Sequence, residues 1–164
     1  MADDPSTYRL PYTVEPQHYD LTLTPDLQKA TFTGDEKVRV QVHEQTSVIV
    51  LNAAELEIHS AELVSDEGER REGTVTLDAE NQRAVIDLDA DAAPGPWTLN
   101  LTFSGILNDK LRGFYRSTYD SDDGTTHVIA TTQFESTDAR RAFPCWDEPD
   151  RKATFDVTLV VPED

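Results

Sequence analysis

The sequence has one cysteine, so no disulfide can form within the chain, and a reducing cytoplasm is the compartment it fits. No apolar run approaches about 18 residues, which excludes an ordinary membrane-spanning helix. The opening residues, MADDPSTYRLPY, carry neither a basic nor an apolar stretch and do not read as a secretory signal. The glycosylation-type triplet Asn100-Leu101-Thr102 is therefore expected to stay unmodified. Catalytic signatures are missing too: there is no G-x-S-x-G, no phosphate-binding P-loop and no G-x-G-x-x-G. His43-Glu44 begins like the zinc-binding H-E-x-x-H, but Ser47 stands where the second histidine is required. The surrounding pattern is also that of a strand, where the motif needs a helix. His18, His43, His59 and His127 are scattered without ligand spacing. Cys145 has no nearby histidine and lies in F-P-C-W, among bulky apolar residues, which suits a buried structural thiol. No self-contained catalytic or metal-binding set is present.

Negative charge is abundant. Thirty-two acidic against 14 basic residues give a net charge of −18, which argues against nucleic acid or an anionic membrane as partner. Seven of the basic residues fall within residues 108–164, so the positive charge is concentrated near one end. The acidity fits either a highly soluble surface or adaptation to salt. With 37% apolar residues, two Trp, five Tyr and six Phe, the chain can fill the core of one domain.

Period-two alternation dominates. Tyr19, Leu21 and Leu23 alternate with polar residues, as do Val38, Val40 and Val42, then Trp97, Leu99, Leu101 and Phe103, then Phe155, Val157, Leu159 and Val161. Half-buried strands require this pattern. Weaker strand candidates lie at about 47–51, 56–64, 73–78, 84–88, 112–119 and 127–133. Turn-forming clusters separate them, and residues 112–133 read as a hairpin closed by the acidic loop 120–124. About ten short, mostly antiparallel strands without an amphipathic helix predict an all-β sandwich. The one helical expectation is a single turn at residues 137–141, capped by Thr137 or Asp138.

One stretch breaks the alternation: TQFESTDARRAFPCWDEPDRKATF, residues 132–155. Most of its charges can neutralise one another, Arg140 and Arg141 against Asp138 and Asp147, Arg151 and Lys152 against Glu148 and Asp150. Pro144 and Pro149 would stiffen such a crossover. Asp138, Arg140, Arg141, Asp147 and Glu148 are accordingly expected to form a structural charge network. Gln133 and Glu135 fit this reading less well. Two residues apart at a strand end, they point the same way, and Glu135 has no basic residue at a matching local position. A carboxylate and an amide presented together can receive a cation with hydrogen-bond donors, such as an ammonium group.

TTQFESTDARRAFPCWDEPDRKATF, preceded by LRGFYRSTY, resembles the N-terminal domain of the aminopeptidase N-like zinc aminopeptidases. The shared features are Q-x-E, then T-D-A-R, F-P-C-x-D-E-P and K-A-x-F. Arg9-Leu10-Pro11 and Pro16-Gln17-His18-Tyr19-Asp20-Leu21 resemble the family's first strand. The resemblance spans the chain, with low specificity over 25–105 and high specificity over 112–155. It implies a curved, saddle-like β-domain leaning on a separate zinc-bearing catalytic domain. It also implies that Glu135 binds the peptide's free α-amine and that Gln133 lines the pocket for the first side chain. On this reading residues 1–164 are the N-terminal β-domain, slightly truncated at its C-terminal end. The zinc belongs to the absent catalytic domain, and the chain alone holds no cofactor and is inactive. Its partners would be that catalytic domain and peptide N-termini. The competing reading is a free-standing β-sandwich that uses the same loop as an interaction surface.

Overall fold

The computed structural model describes residues 8–163. Its strands are β1 (Val14–Asp26), β2 (Thr31–Val42), β3 (Thr46–Asn52), β4 (Leu56–Ser65), β5 (Arg70–Asp78), β6 (Arg83–Ala92), β7 (Gly95–Ile106), β8 (Gly113–Asp120), β9 (Thr126–Gln133) and β10 (Thr154–Leu159). The domain is all-β, as the alternation predicts, and among the described residues no helix is long and apolar enough to cross a membrane.

Each long strand forms where apolar residues recur at every second position. In β2, Phe32, Val38, Val40 and Val42 are buried, while Thr33, Asp35, Lys37 and Arg39 face solvent. Eight strands form one sheet in the order β10-β1-β2-β7-β4-β5-β6-β3. Its two edges, β10 and β3, stay apart, so the sheet does not close into a barrel. β5 serves two neighbours in turn. Its residues 70–72 pair with β4, and residues 73–78 pair with β6. The two halves on either side of β5 contribute to one continuous core, from Tyr19, Leu21, Val38, Leu99 and Leu101 in one to Ile49, Leu51, Ala84 and Ile86 in the other. This is an open sandwich. All pairings in the sheet are antiparallel except β1 with β10, which run parallel, with Tyr19 opposite Phe155 and Leu23 opposite Leu159.

The F-P-C-W segment closes one end of this core. Phe143, Cys145 and Trp146 are buried, and Asn52 and Cys145 exchange backbone hydrogen bonds of 2.7 and 2.9 Å. The Tyr19 hydroxyl accepts a hydrogen bond from the Trp146 N–H at 3.2 Å, and the Tyr19 ring stacks on Phe155. β8 and β9 form a separate hairpin, anchored by Phe114, whose ring packs edge-on against Phe32 at 5.1 Å. At its tip Asp123 accepts bonds from the Ser121 hydroxyl and the Thr125 N–H, which hold its carboxyl down at about 2. The helical expectation is realised as a 3-10 turn over Ala139–Arg141. Asp138 sits at its N-cap without a capping side-chain bond, because its carboxylate turns to Arg141 instead.

Candidate functional site

β9 delivers its last residue, Gln133, directly into a turn of residues 135–138, closed by the Asp138 N–H donating to the Phe134 carbonyl at 2.9 Å. Gln133 and Glu135 are both exposed, while Phe134 between them turns inward and packs edge-on against Phe143 at 6.0 Å. The Gln133 Oε1 accepts the Glu135 N–H at 3.2 Å, which ties the two side-chain positions together. The Glu135–Ser136 peptide is cis. Among the described residues nothing pairs with the Glu135 carboxylate.

Of the other charges of this segment, Lys152 is exposed and has no partner among the described residues, and the rest are engaged. Arg140 Nε meets Asp147 Oδ2 at 2.8 Å, both side chains being only 12% exposed, and Arg140 also reaches the Gln82 Oε1 at 3.3 Å. Arg141 bonds Asp138 at 2.8 Å and Glu55 at 2.7 Å. Its Cβ stands where a side chain on Gly113 would have to go, and Gly113 itself holds φ +70°. Only glycine accommodates both the backbone conformation and the contact. Glu148 accepts the Leu10 N–H at 2.7 Å and lies 3.9 Å from Arg151. Arg151 is buried, donates to the Pro11 carbonyl at 3.1 Å and lies over the Tyr12 ring at 3.7 Å. Asp150 does not pair with Arg151 or Lys152, as the local sequence suggested. It bonds Arg9 and the Tyr12 hydroxyl, which brings the segment before β1 onto the loop. Asn52 supplies a further clamp, its side-chain oxygen accepting the Asp147 N–H at 3.1 Å.

Burial pushes the Cys145 thiol up, and the charge of Asp147 pushes in the same direction, so it stays a protonated thiol. Sequence reasoning missed Glu36. Its carboxylate is buried on the core face of β2, opposite Leu21 and Leu101, and neither oxygen has a hydrogen-bond partner. Burial pushes its carboxyl well above the usual range. A signal existed, since position 36 is in phase with Phe32, Val38 and Val40. The Leu, Val and Phe side chains around it each contribute about 1.5–3 kcal/mol on burial, enough to carry one neutral carboxyl of comparable cost.

Among the described residues no three His, Cys, Asp or Glu side chains converge. His18 bonds Thr154, His43 bonds Glu15, His59 bonds Ser104, and His127 stacks on Tyr119.

The chain is similar to a group of aminopeptidases. Aminopeptidase M1 of Arabidopsis thaliana is 44% identical over 160 residues, covering 95% of this chain and 18% of that protein. Puromycin-sensitive aminopeptidase of Caenorhabditis elegans is 44% identical over 154 residues, covering 93% and 16%. Alanine/arginine aminopeptidase of Saccharomyces cerevisiae is 43% identical over 160 residues, covering 92% and 18%. The chain thus spans less than a fifth of the length of these relatives. Residues 15–164 match the Peptidase M1 N-terminal domain, and with the Q-x-E turn and the paired charges behind it, the chain belongs to that family.

Proposed function

We propose that this domain anchors peptide substrates by their N-termini for a zinc-dependent aminopeptidase, and that Glu135 and Gln133 carry the role. The observation behind this reading is the contrast within one loop. Asp138, Arg140, Arg141, Asp147 and Glu148 have partners within the domain, while the Glu135 carboxylate, exposed beside Gln133, has none among the described residues. A fixed carboxylate next to an amide suits an α-ammonium group, which offers up to three donors and a positive charge. An internal peptide segment brings no such charge and would leave the carboxylate unpaired, which favours removal of terminal residues. Gln133 would border the first side chain.

Hydrolysis itself is assigned to residues outside this chain. In this reading the zinc sits in a separate catalytic domain, which activates the water and is the partner of this one. The chain by itself hydrolyses no aminoacyl substrate. A cytoplasmic location belongs to the same proposal, supported by the single, buried cysteine.

The test is Glu135→Gln in the intact aminopeptidase, which keeps the shape and removes the charge. A charge-assisted bond to a partly desolvated ammonium is worth roughly 1.5–3 kcal/mol, so kcat/KM should fall about 10- to 150-fold. Unchanged kcat/KM would move the amine site elsewhere and favour the reading of this loop as a plain interaction surface.

A further inference from the structure

Residues 9–12, which lead into β1, lie across the loop that follows Trp146, and each of the four is bonded to it. The Leu10 N–H donates to Glu148 Oε1 at 2.7 Å, and the Pro11 carbonyl accepts from Arg151 at 3.1 Å. Arg9 and the Tyr12 hydroxyl both donate to Asp150, the hydroxyl at 2.8 Å. The Tyr12 ring also covers the Arg151 guanidinium at 3.7 Å. Arg151 is buried, and its Nε and Nη1 atoms have no hydrogen-bond partner among the described residues. A cation so placed depends on the ring above it and the carbonyl beside it to stay buried. On its other side the same loop grips the turn that presents Glu135. Asp147, next to Glu148, takes Arg140 Nε at 2.8 Å, and its carbonyl accepts from Arg140 Nη2 at 3.4 Å. Arg140 stands in the 3-10 turn that directly continues residues 135–138. Between turn and loop lies a cavity of about 220 Å³, lined by Ser136 from one and Glu148, Pro149 and Arg151 from the other. Close packing therefore does not fix the turn on that side. Its place is set by β9 at one end and by Arg140 and the loop at the other.

We infer that residues 9–12 are a strap that positions Glu135, with Tyr12 and Arg151 as its positioning residues. Tyr12 holds Asp150 and Arg151, these fix the loop, and Asp147 in the loop fixes Arg140 behind the turn. Tyr12 is 56% exposed, and exposed polar contacts add little to stability. What they supply is placement. A carboxylate displaced by about 1 Å meets an ammonium group off its best geometry, and binding weakens. The effect on substrate rests on the anchoring role of Glu135; the coupling of strap to turn does not.

Tyr12→Ala and Tyr12→Phe in the intact aminopeptidase test this. Tyr12→Ala removes both ring and hydroxyl. It should raise KM about 3- to 10-fold, keep kcat within about twofold and shift the melting temperature by less than about 3 °C. Tyr12→Phe keeps the ring over Arg151 and should recover most of the loss. The Asp138 amide, which closes the turn on the Phe134 carbonyl, should exchange its hydrogen about 10-fold faster in Tyr12→Ala. In a double-mutant cycle, the KM effect of Tyr12→Ala should vanish in the Glu135→Gln background. An unchanged exchange rate at Asp138 would overturn the coupling, whatever Glu135 does. A KM effect that persists in full beside Glu135→Gln would overturn the positioning role, since Tyr12 would then act elsewhere. If Glu135→Gln alone leaves kcat/KM unchanged, the anchoring role fails and takes the substrate effect with it, while the exchange rate still decides whether the strap holds the turn.

Discussion

Arg140 Nε lies 2.8 Å from Asp147 Oδ2, and both side chains are 88% shielded from solvent. Asp147 is held at the same time by the Asn52 amide oxygen through its N–H, and the Arg140 carbonyl accepts the Ala54 N–H at 2.9 Å. The pair therefore links the loop behind Glu135 to the end of β3. Removing one member of a buried pair leaves the other charge uncompensated and costs about 3–5 kcal/mol. Arg140→Ala should lower the melting temperature of the chain by roughly 6–15 °C, with little dependence on salt. A melting temperature unchanged at low and high salt would assign the pair to the solvated surface.

Glu135→Gln should behave in the opposite way. The side chain is exposed and makes no bond among the described residues, so the substitution should shift the stability of the 164-residue chain by less than about 0.5 kcal/mol. Thermal or urea unfolding of the two chains checks this. Marked destabilisation, with turnover spared in the intact protein, would make Glu135 one more structural charge.

Glu36 makes the fold sensitive to alkali. Its folded pKa is raised above the unfolded value by burial, so the folded chain holds this proton more tightly. Its contribution is therefore fully present below the unfolded pKa near 4.5 and is lost as pH rises from there toward the folded value. Glu36→Met replaces an unpartnered carboxyl with an apolar side chain of similar length. It should stabilise the chain by about 1–3 kcal/mol at pH 7.5 and by less at pH 4.5. Denaturant unfolding of both chains at the two pH values decides it. A destabilised variant at pH 7.5 would mean that Glu36 has a partner in solution.

The net charge of −18 should make the domain more stable in salt. Self-repulsion among surface carboxylates falls as the screening length shrinks from about 10 Å at 0.1 M to about 3 Å at 1 M. The melting temperature of the chain should rise by several degrees over this range of potassium chloride. A flat or falling curve would refute the idea that surface repulsion limits stability.

The strands themselves were legible in the sequence. The alternation Val38, Val40, Val42 on β2 and Trp97, Leu99, Leu101, Phe103 on β7 needs only the period-two geometry of an extended backbone, which acts over a few residues. The β8–β9 hairpin was legible for the same reason, through its local turn. Glu36 shows where this runs out. Its phase placed it on the core face, but a charge overrides the pattern when read alone, and only the assembled sheet reveals that Leu21 and Leu101 flank it.

Partners distant in sequence were decided by the tertiary structure alone. Arg140 and Asp147 are seven residues apart and could be matched on local grounds. Asp150 with Arg9, Glu148 with the Leu10 N–H and Arg141 with Glu55 could not. Their meeting depends on sheet order, on the parallel seating of β10 beside β1 and on β5 serving two neighbours. These are set by the packing of the whole core. An ion pair forms between whichever opposite charges the packed backbone brings within about 4 Å, and no local pattern encodes that distance.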